Sequence, residues 1–364
     1  MHSIPLISIT IILITIFSSI ILSAPPQTYL QAYMDKDEVL VKEAETILSD
    51  VFQIDMTRYH LDAVNFNGAD SHDNITIENY LIIFRDNNNN TLITDVYVMH
   101  GKIIRLGIIG LPLINNYRRN IQLTIKLSDG EVVISGRTIG IILNNTIKTI
   151  DKLYGWLSYP VQEILRNIQQ ILSSTTIVLS RKTSYEYKLI LAGNYTFSLH
   201  IETSEDNEPK ELFISLWRTM SLPLNTTYMR SVVYMYYYIL NSRLYCTMFS
   251  YNPLIPRAKV IIPEKLNEIS INIVIGVSRR ILEEYLRKTG ITDYEILSIK
   301  PLWIGINEYT KNWSLIIIPN PNLTLEATVK TGSETKHYII YLNLDTMKGF
   351  VKGEYIPIKQ AEEH

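Results

Sequence analysis

Hydrophobic positions are spread unevenly along this chain of 364 residues. The first block, Ile4 to Ala24, carries no charged side chain and reads IPLISITIILITIFSSIILSA. Its length suits a bilayer-spanning helix. Its close on the small residues Ser23 and Ala24 suits a secretory signal peptide. Pro25 and Pro26 follow at once. Proline lacks an N–H and has a fixed φ, which disfavours it just after a scissile bond. Residues 1–24 are therefore read as a signal peptide or an uncleaved membrane anchor. Met1-His2-Ser3 carries no Lys or Arg, so charge does not fix an orientation.

Beyond the leader the pattern alternates between helical and strand periods. Leu40, Ala44, Ile47, Leu48 and Val51 recur at spacings of three and four and predict a helix, with Asp35 and Glu38 resembling a capping box at its start. Strands are predicted at Ile75–Arg85, Leu92–Met99 and Lys102–Ile109. Asp129-Gly130 predicts a hairpin between Ile121–Leu127 and Glu131–Ser135. A second helical region spans about Ile150 to Leu172, broken near Tyr159 because Pro160 suits the first turn of a new helix. Tyr185–Leu191 and Tyr195–Ile201 flank Gly193-Asn194 as a hairpin, and Glu211–Arg218 is a further strand. A third helix covers Ser278–Lys288, capped by Ser278, with the preceding Ile269–Ile275 leaning to helix. Strands then follow at Tyr294–Ile304, Trp313–Ile318, Leu323–Lys330, Lys336–Leu344 and Phe350–Tyr355.

The expected fold class is α+β: an N-terminal hydrophobic helix followed by tandem helix-on-antiparallel-sheet units. Length allows about two or three domains, and the pattern divides the chain into 1–24, then units at 25–140, 141–257 and 258–364. The closing part of the first unit reads ITDVYVMHGKIIRLGI, and that of the third reads HYIIYLNLDTMKGFVKGEY. These units resemble the PepSY type of secreted domain, in which a helix packs on a small antiparallel sheet. The last hairpin of that family reads as an apolar strand, then Asp-x-x-Thr-Gly or similar, then Val. The nearest match here is Leu344-Asp345-Thr346-Met347-Lys348-Gly349-Phe350-Val351, with Met347-Lys348 inserted, and the first unit has no Asp at that turn. The resemblance implies a modulatory or binding role and carries over no functional residue.

Net charge is −2, with acidic and basic residues interspersed. No basic stripe marks a nucleic-acid partner. The one cysteine, Cys246, forms no intramolecular disulfide and is read as a buried, inert thiol in an aromatic strand. Sequons for N-glycosylation occur at Asn74, Asn89, Asn144, Asn194, Asn225, Asn312 and Asn322, several in predicted turns. The Ile-, Tyr- and Asn-rich composition resembles that of cell-surface proteins of AT-rich archaea and of archaeal viruses.

Catalytic motifs are not found, and no cofactor is expected. The sequence has no His-Glu-x-x-His, Gly-x-Ser-x-Gly, Walker loop or Cys-x-x-Cys. Asp70, His72 and Asp73, with His60 and Asp62 upstream, are the densest group able to hold a divalent metal. The competing reading is a solvated polar loop beside Asn74. Gly136-x-x-x-Gly140 has the spacing of a helix-dimer motif but lacks a long apolar context. Tyr228–Leu240 and Arg243–Tyr251, around Asn241-Ser242, form a predicted hairpin with aromatics on both faces. One face of it is expected to be covered, by another part of the chain or by a partner, and Tyr234, Tyr236, Tyr238 and Tyr245 are the interface candidates.

The sequence points to an exported or membrane-anchored, non-catalytic cell-surface protein with a binding, modulatory or structural role. It would meet the membrane through residues 4–24 unless cleaved, and an envelope protein or a second copy of itself as partner. The alternatives are an extracytoplasmic metal-dependent hydrolase and a surface filament subunit joined by strand addition.

Overall fold

The computed structural model describes residues 26–72, 75–110, 117–118, 121–122, 127–128, 130–180, 185–204 and 209–355. It opens with α1 (Pro26–Asp50), β1 (Tyr59–His72), β2 (Ile75–Asp86), β3 (Thr91–Met99) and β4 (Lys102–Ile109). The short strands β5 (Ile121–Gln122), β6 (Leu127–Ser128) and β7 (Glu131–Ser135) lead into the helical hairpin α2 (Gly136–Tyr154) and α3 (Tyr159–Ser173). Next come β8 (Thr176–Ser180), β9 (Glu186–Leu191), β10 (Tyr195–Thr203), β11 (Pro209–Ser221), β12 (Thr227–Leu240) and β13 (Arg243–Tyr251). The remainder is β14 (Lys259–Val260), α4 (Glu264–Asn267), α5 (Ile271–Lys288), β15 (Glu295–Lys311), β16 (Ser314–Thr331), β17 (Glu334–Asn343) and β18 (Lys348–Tyr355).

The largest sheet has ten strands in the order β1-β2-β3-β4-β13-β12-β11-β10-β9, with β5 also paired to β13. Its registers place Phe66, Tyr80, Val96, Leu106, Phe249, Met235, Ile214, Leu199 and Tyr187 side by side, one from each strand of that path. Strand alternation puts this apolar row on one face. Helices cover it. Thr146 Oγ1 on α2 lies 3.1 Å from Met235 Sδ, and the Tyr154 ring meets that of Tyr251 at 4.5 Å. Glu43 on α1 is buried and paired with Lys102, and it also accepts from the Ile103 N–H at 3.3 Å. The stripe Leu40, Ala44, Ile47, Leu48 and Val51 is buried as its spacing predicts.

The second sheet runs β14-β16-β17-β18, with β15 on the other side of β16. Its helix is α5, which buries Val274, Ser278, Leu282 and Leu286 at every fourth position. A third sheet, β6-β7-β8, lies at the root of the α2–α3 hairpin. The two larger sheets are tied directly. Arg230 Nη2 on β12 donates to both carboxylate oxygens of Glu308 on β15, at 3.0 and 3.1 Å, and the Tyr228 hydroxyl donates to the same carboxylate. Arg218 donates to the carbonyls of Ile255 and Ala258 at 2.7 and 3.3 Å.

These observations correct the expected fold class. The apolar segment 4–24 lies outside the described residues. The described chain is mostly strand and is not a row of tandem helix-on-sheet units, because one antiparallel sheet runs unbroken from β1 to β9. The physical reason lies at β4 and β13. Each ends its own meander and would expose unpaired N–H and C=O groups as an edge. They pair with each other instead, at Met248–Gly107, Phe249–Leu106 and Ser250–Arg105.

Three local expectations are also corrected. Asp35 lies within α1 and not at its start. The second helical region begins at Gly136, well before Ile150. Ser270 caps α5, its side chain accepting from the Asn272 N–H at 3.3 Å, while Ser278 is buried mid-helix. Among the described residues, no helix is long and apolar enough to cross a membrane.

Candidate functional site

The face of the ten-stranded sheet away from the row of Phe249 and Met235 carries an aromatic band. Registers align His200, Phe213, Tyr236 and Met248 in one row, Ser198, Ser215, Tyr234, Ser250 and Arg105 in the next, and Glu202, Glu211 and Tyr238 in a third. Tyr234, Tyr236 and Tyr238 are half-buried. Phe213 stacks on Tyr236, with centroids 4.9 Å apart and planes at 12°, and His200 packs on Phe213 at 5.8 Å. Ser198 and Ser215 hydroxyls meet at 2.7 Å, and the Trp217 indole donates to Ser215 at 2.8 Å. The rings thus lie side by side on a hydrogen-bonded floor.

Carboxylates bound one end of the band. Burial raises the Tyr236 phenol, and so do a hydrogen bond to Glu211 and the charges of Glu211 and Glu202. Burial and Glu202 raise Tyr234 likewise. Both phenols stay neutral through the physiological range, so the band presents neutral rings and hydroxyls with Glu202 and Glu211 at one end and Arg105 at the end of the Tyr234 row. The carboxylate end of such a surface attracts cations by charge and by the ring faces together.

Tyr245 lies opposite Tyr238 but does not join this surface. It is buried, edge-to-face against Tyr117 at 5.0 Å, and the Tyr117 hydroxyl donates to the Cys246 carbonyl at 3.2 Å. Arg118, next to Tyr117, pairs with Asp55 at 2.5 Å. Hydrogen bonds from Thr57 and Arg118 hold the Asp55 carboxyl down to about 2, so the pair stays charged at any ordinary pH. Phe213 is the member of this band that its own strand does not single out. It is brought to Tyr236 by the β11–β12 register, which no local pattern reveals.

Cys246 is buried and its thiol is pushed up by desolvation. A thiol reagent should therefore leave it unmodified in the folded protein and react stoichiometrically once denaturant is added. Fast modification of the native protein, followed by mass spectrometry, would contradict that.

The described residues do not gather the metal candidates into a site. Asp70 and His72 lie two residues apart near the end of β1, and Asp73 falls outside the described residues with Asn74. Asp62 is taken up by Arg85 at 2.7 Å. Among the described residues no group of three His, Cys, Asp or Glu side chains could hold a metal. β1 is an edge strand of the large sheet, as strand addition would require, but two bulges, at Leu61/Ala63 and Phe66/Gly68, break its register.

The sequons fall on distinct settings. Asn89, Asn194, Asn225 and Asn312 are exposed at turns in the left-handed region, with φ of 68°, 62°, 59° and 50°. Asparagine tolerates that backbone better than most residues. Asn144 lies on α2, where the Thr146 of its sequon is buried with its hydroxyl on the Ile142 carbonyl at 2.9 Å. Asn322 lies on β16 at the mouth of a cleft on the smaller sheet, beside Trp303, Tyr341 and Phe350. Those three aromatics come together only through the register of four strands.

No protein-family model matches the chain, and no curated protein matches it significantly. Among solved structures, the Bacillus megaterium YpeB C-terminal domain is similar at 12 % identity, over 86 % of this chain and 95 % of that one, with a TM-score of 0.23. A superposition that poor does not establish a common fold.

Proposed function

We propose that this chain is an exported, non-catalytic binding protein of the cell surface, and that it binds through the open face of its large sheet. The observation that carries the reading is the band of Phe213, Tyr234, Tyr236 and Tyr238 beside Glu202 and Glu211. Neutral rings flanked by carboxylates fit an extended, lysine- or arginine-bearing segment of an envelope protein. Ring faces take the cations, the carboxylates neutralise them, and the tyrosine hydroxyls supply hydrogen bonds to the backbone. The apolar segment 4–24 supports delivery to or across a membrane, as an anchor or as a cleaved leader. The turn-borne sequons support an extracytoplasmic side.

The test uses the purified chain and a fluorescent lysine-rich peptide. Binding is expected at low salt and should weaken as salt rises. Glu211→Gln, which keeps the size of the side chain, and Tyr236→Ala should each lower the affinity about tenfold. Absence of binding, or binding by both variants at the affinity of the unaltered chain, overturns the assignment of this face.

A further inference from the structure

Two large apolar side chains stand exposed on the free face of the smaller sheet. Trp303 is 51 % exposed and Phe350 is 62 % exposed. Registers run Trp303, Thr324, Tyr341, Phe350 straight across β15, β16, β17 and β18. Neighbouring strands lie about 4.8 Å apart, so the outer rings stand about 14 Å apart, with Thr324 and Tyr341 as the floor between them. The cleft holds about 350 Å³. Tyr341 packs on Phe350 at 5.3 Å. The site is locally built. Bulges at Pro301/Trp303 and Ile304/Ile306 bracket Trp303, and a bulge is a device that re-aims a side chain. Gly349 lets β18 approach, since a Cβ there would stand 2.1 Å from the Tyr341 carbonyl oxygen.

The same cleft contains a complete sequon. Asn322 and Thr324 of Asn322-Leu323-Thr324 both line it. They are two residues apart on β16, so both side chains lie on the cleft side, about 7 Å apart along the strand. Asn322 is exposed, and its Oδ1 accepts from Asn343 Nδ2 at 3.3 Å. That bond engages the amide by its oxygen and not by Nδ2.

We infer that Asn322 carries an N-linked glycan whose first sugar lies in this cleft, over Thr324 and against the ring of Trp303. The inference rests on the exported reading above, because it needs an extracytoplasmic transferase. Attachment forms a bond from sugar C1 to Asn322 Nδ2 and breaks the C1–O bond of a glycosyl-diphosphate donor. The diphosphate leaves as the anion, and Nδ2 gives one proton to the transferase. Pyranose rings have an apolar face of C–H groups and a polar rim, and aromatic walls with an amide at the mouth match both. The glycan then covers two hydrophobic side chains that otherwise face water, whereas glycans on the turns at Asn89, Asn194 and Asn225 have no such wall described beside them.

The experiment takes the protein purified from cells that glycosylate exported proteins. Glycopeptide mass spectrometry reads occupancy, and hydroxyl-radical footprinting reads exposure of single rings before and after enzymatic glycan removal. The expected result is occupancy at Asn322 and a several-fold rise in labelling of Trp303 on glycan removal. Trp156, 67 % exposed and remote in sequence from the cleft, serves as control and should not change. The variant Asn322→Gln, which keeps an amide at the site, should show the high labelling from the start. Occupancy with unchanged Trp303 labelling overturns the seating of the sugar. An empty Asn322 beside occupied turn sequons overturns the inference and leaves the exported reading standing. No occupied sequon at all removes the inference and the glycoprotein reading together.

Discussion

Replacing Phe249 with alanine should destabilise the protein by about 4 kcal/mol, which falls within the range for a fully buried phenylalanine. Phe249 is fully buried at the middle of the row that crosses the whole large sheet. It pairs with Leu106 on one side and Met235 on the other. The β4–β13 seam on which it sits is only three residue pairs long, so few backbone bonds support it if the side chain is lost. The loss is the transfer free energy of the ring plus the cavity left beneath the helices. Phe66→Ala provides the contrast. Phe66 belongs to the same row but is 59 % exposed, at the β1 edge where its ring meets that of Tyr80 at 5.4 Å. Its cost should be about 1 kcal/mol or less. Urea unfolding of both variants checks this, and equal losses would mean that burial across the seam is not what holds the halves together.

Much of the local structure was legible in the residues. Tyr195, Phe197, Leu199 and Ile201 alternate with polar neighbours and are buried, as a one-sided strand requires. Asn241-Ser242 turns the β12–β13 hairpin with φ of 49° and 57°, and Pro160 sits in the first turn of α3. Periodicity reports which face a residue takes, not which strand lies beside it. For that reason β1–β4 and β9–β13 each read as a separate unit, and their fusion at Phe249 and Leu106 was invisible. The same limit hid both aromatic groupings. Tyr236 could be singled out from its own strand, but its partner Phe213 comes from β11, and Trp303 and Phe350 come from strands at opposite sides of their sheet. The start of α2 was missed for a different reason. Gly136 and Gly140 lower helix propensity, and close packing overrides it.

That packing gives the Gly136-x-x-x-Gly140 spacing a meaning other than helix dimerisation, and the two glycines can be told apart. A Cβ on Gly136 would stand 1.7 Å from the Leu172 carbonyl oxygen and 2.6 Å from that of Thr175. Neither can yield cheaply. The Gly136 N–H donates to the Thr175 carbonyl at 3.0 Å, and the Leu172 carbonyl accepts both the Thr175 N–H and its hydroxyl, at 3.0 and 2.9 Å. Gly136→Ala must therefore push α3 away from the start of α2 and break these bonds, at about 3 kcal/mol. A Cβ on Gly140 would stand 3.8 Å from Gln169 Cγ and 4.0 Å from Ser173 Cβ, its nearest neighbours, which is ordinary contact. There alanine relieves the entropy that glycine loses in a helix and should be neutral or stabilising by about 0.5–1 kcal/mol. A dimer interface built on the motif would penalise both substitutions and make stability depend on protein concentration. Chemical denaturation of the two variants at two protein concentrations decides between these. Opposite signs at the two glycines, independent of concentration, place the motif inside the α2–α3 hairpin, and matched losses that grow on dilution would place it between chains.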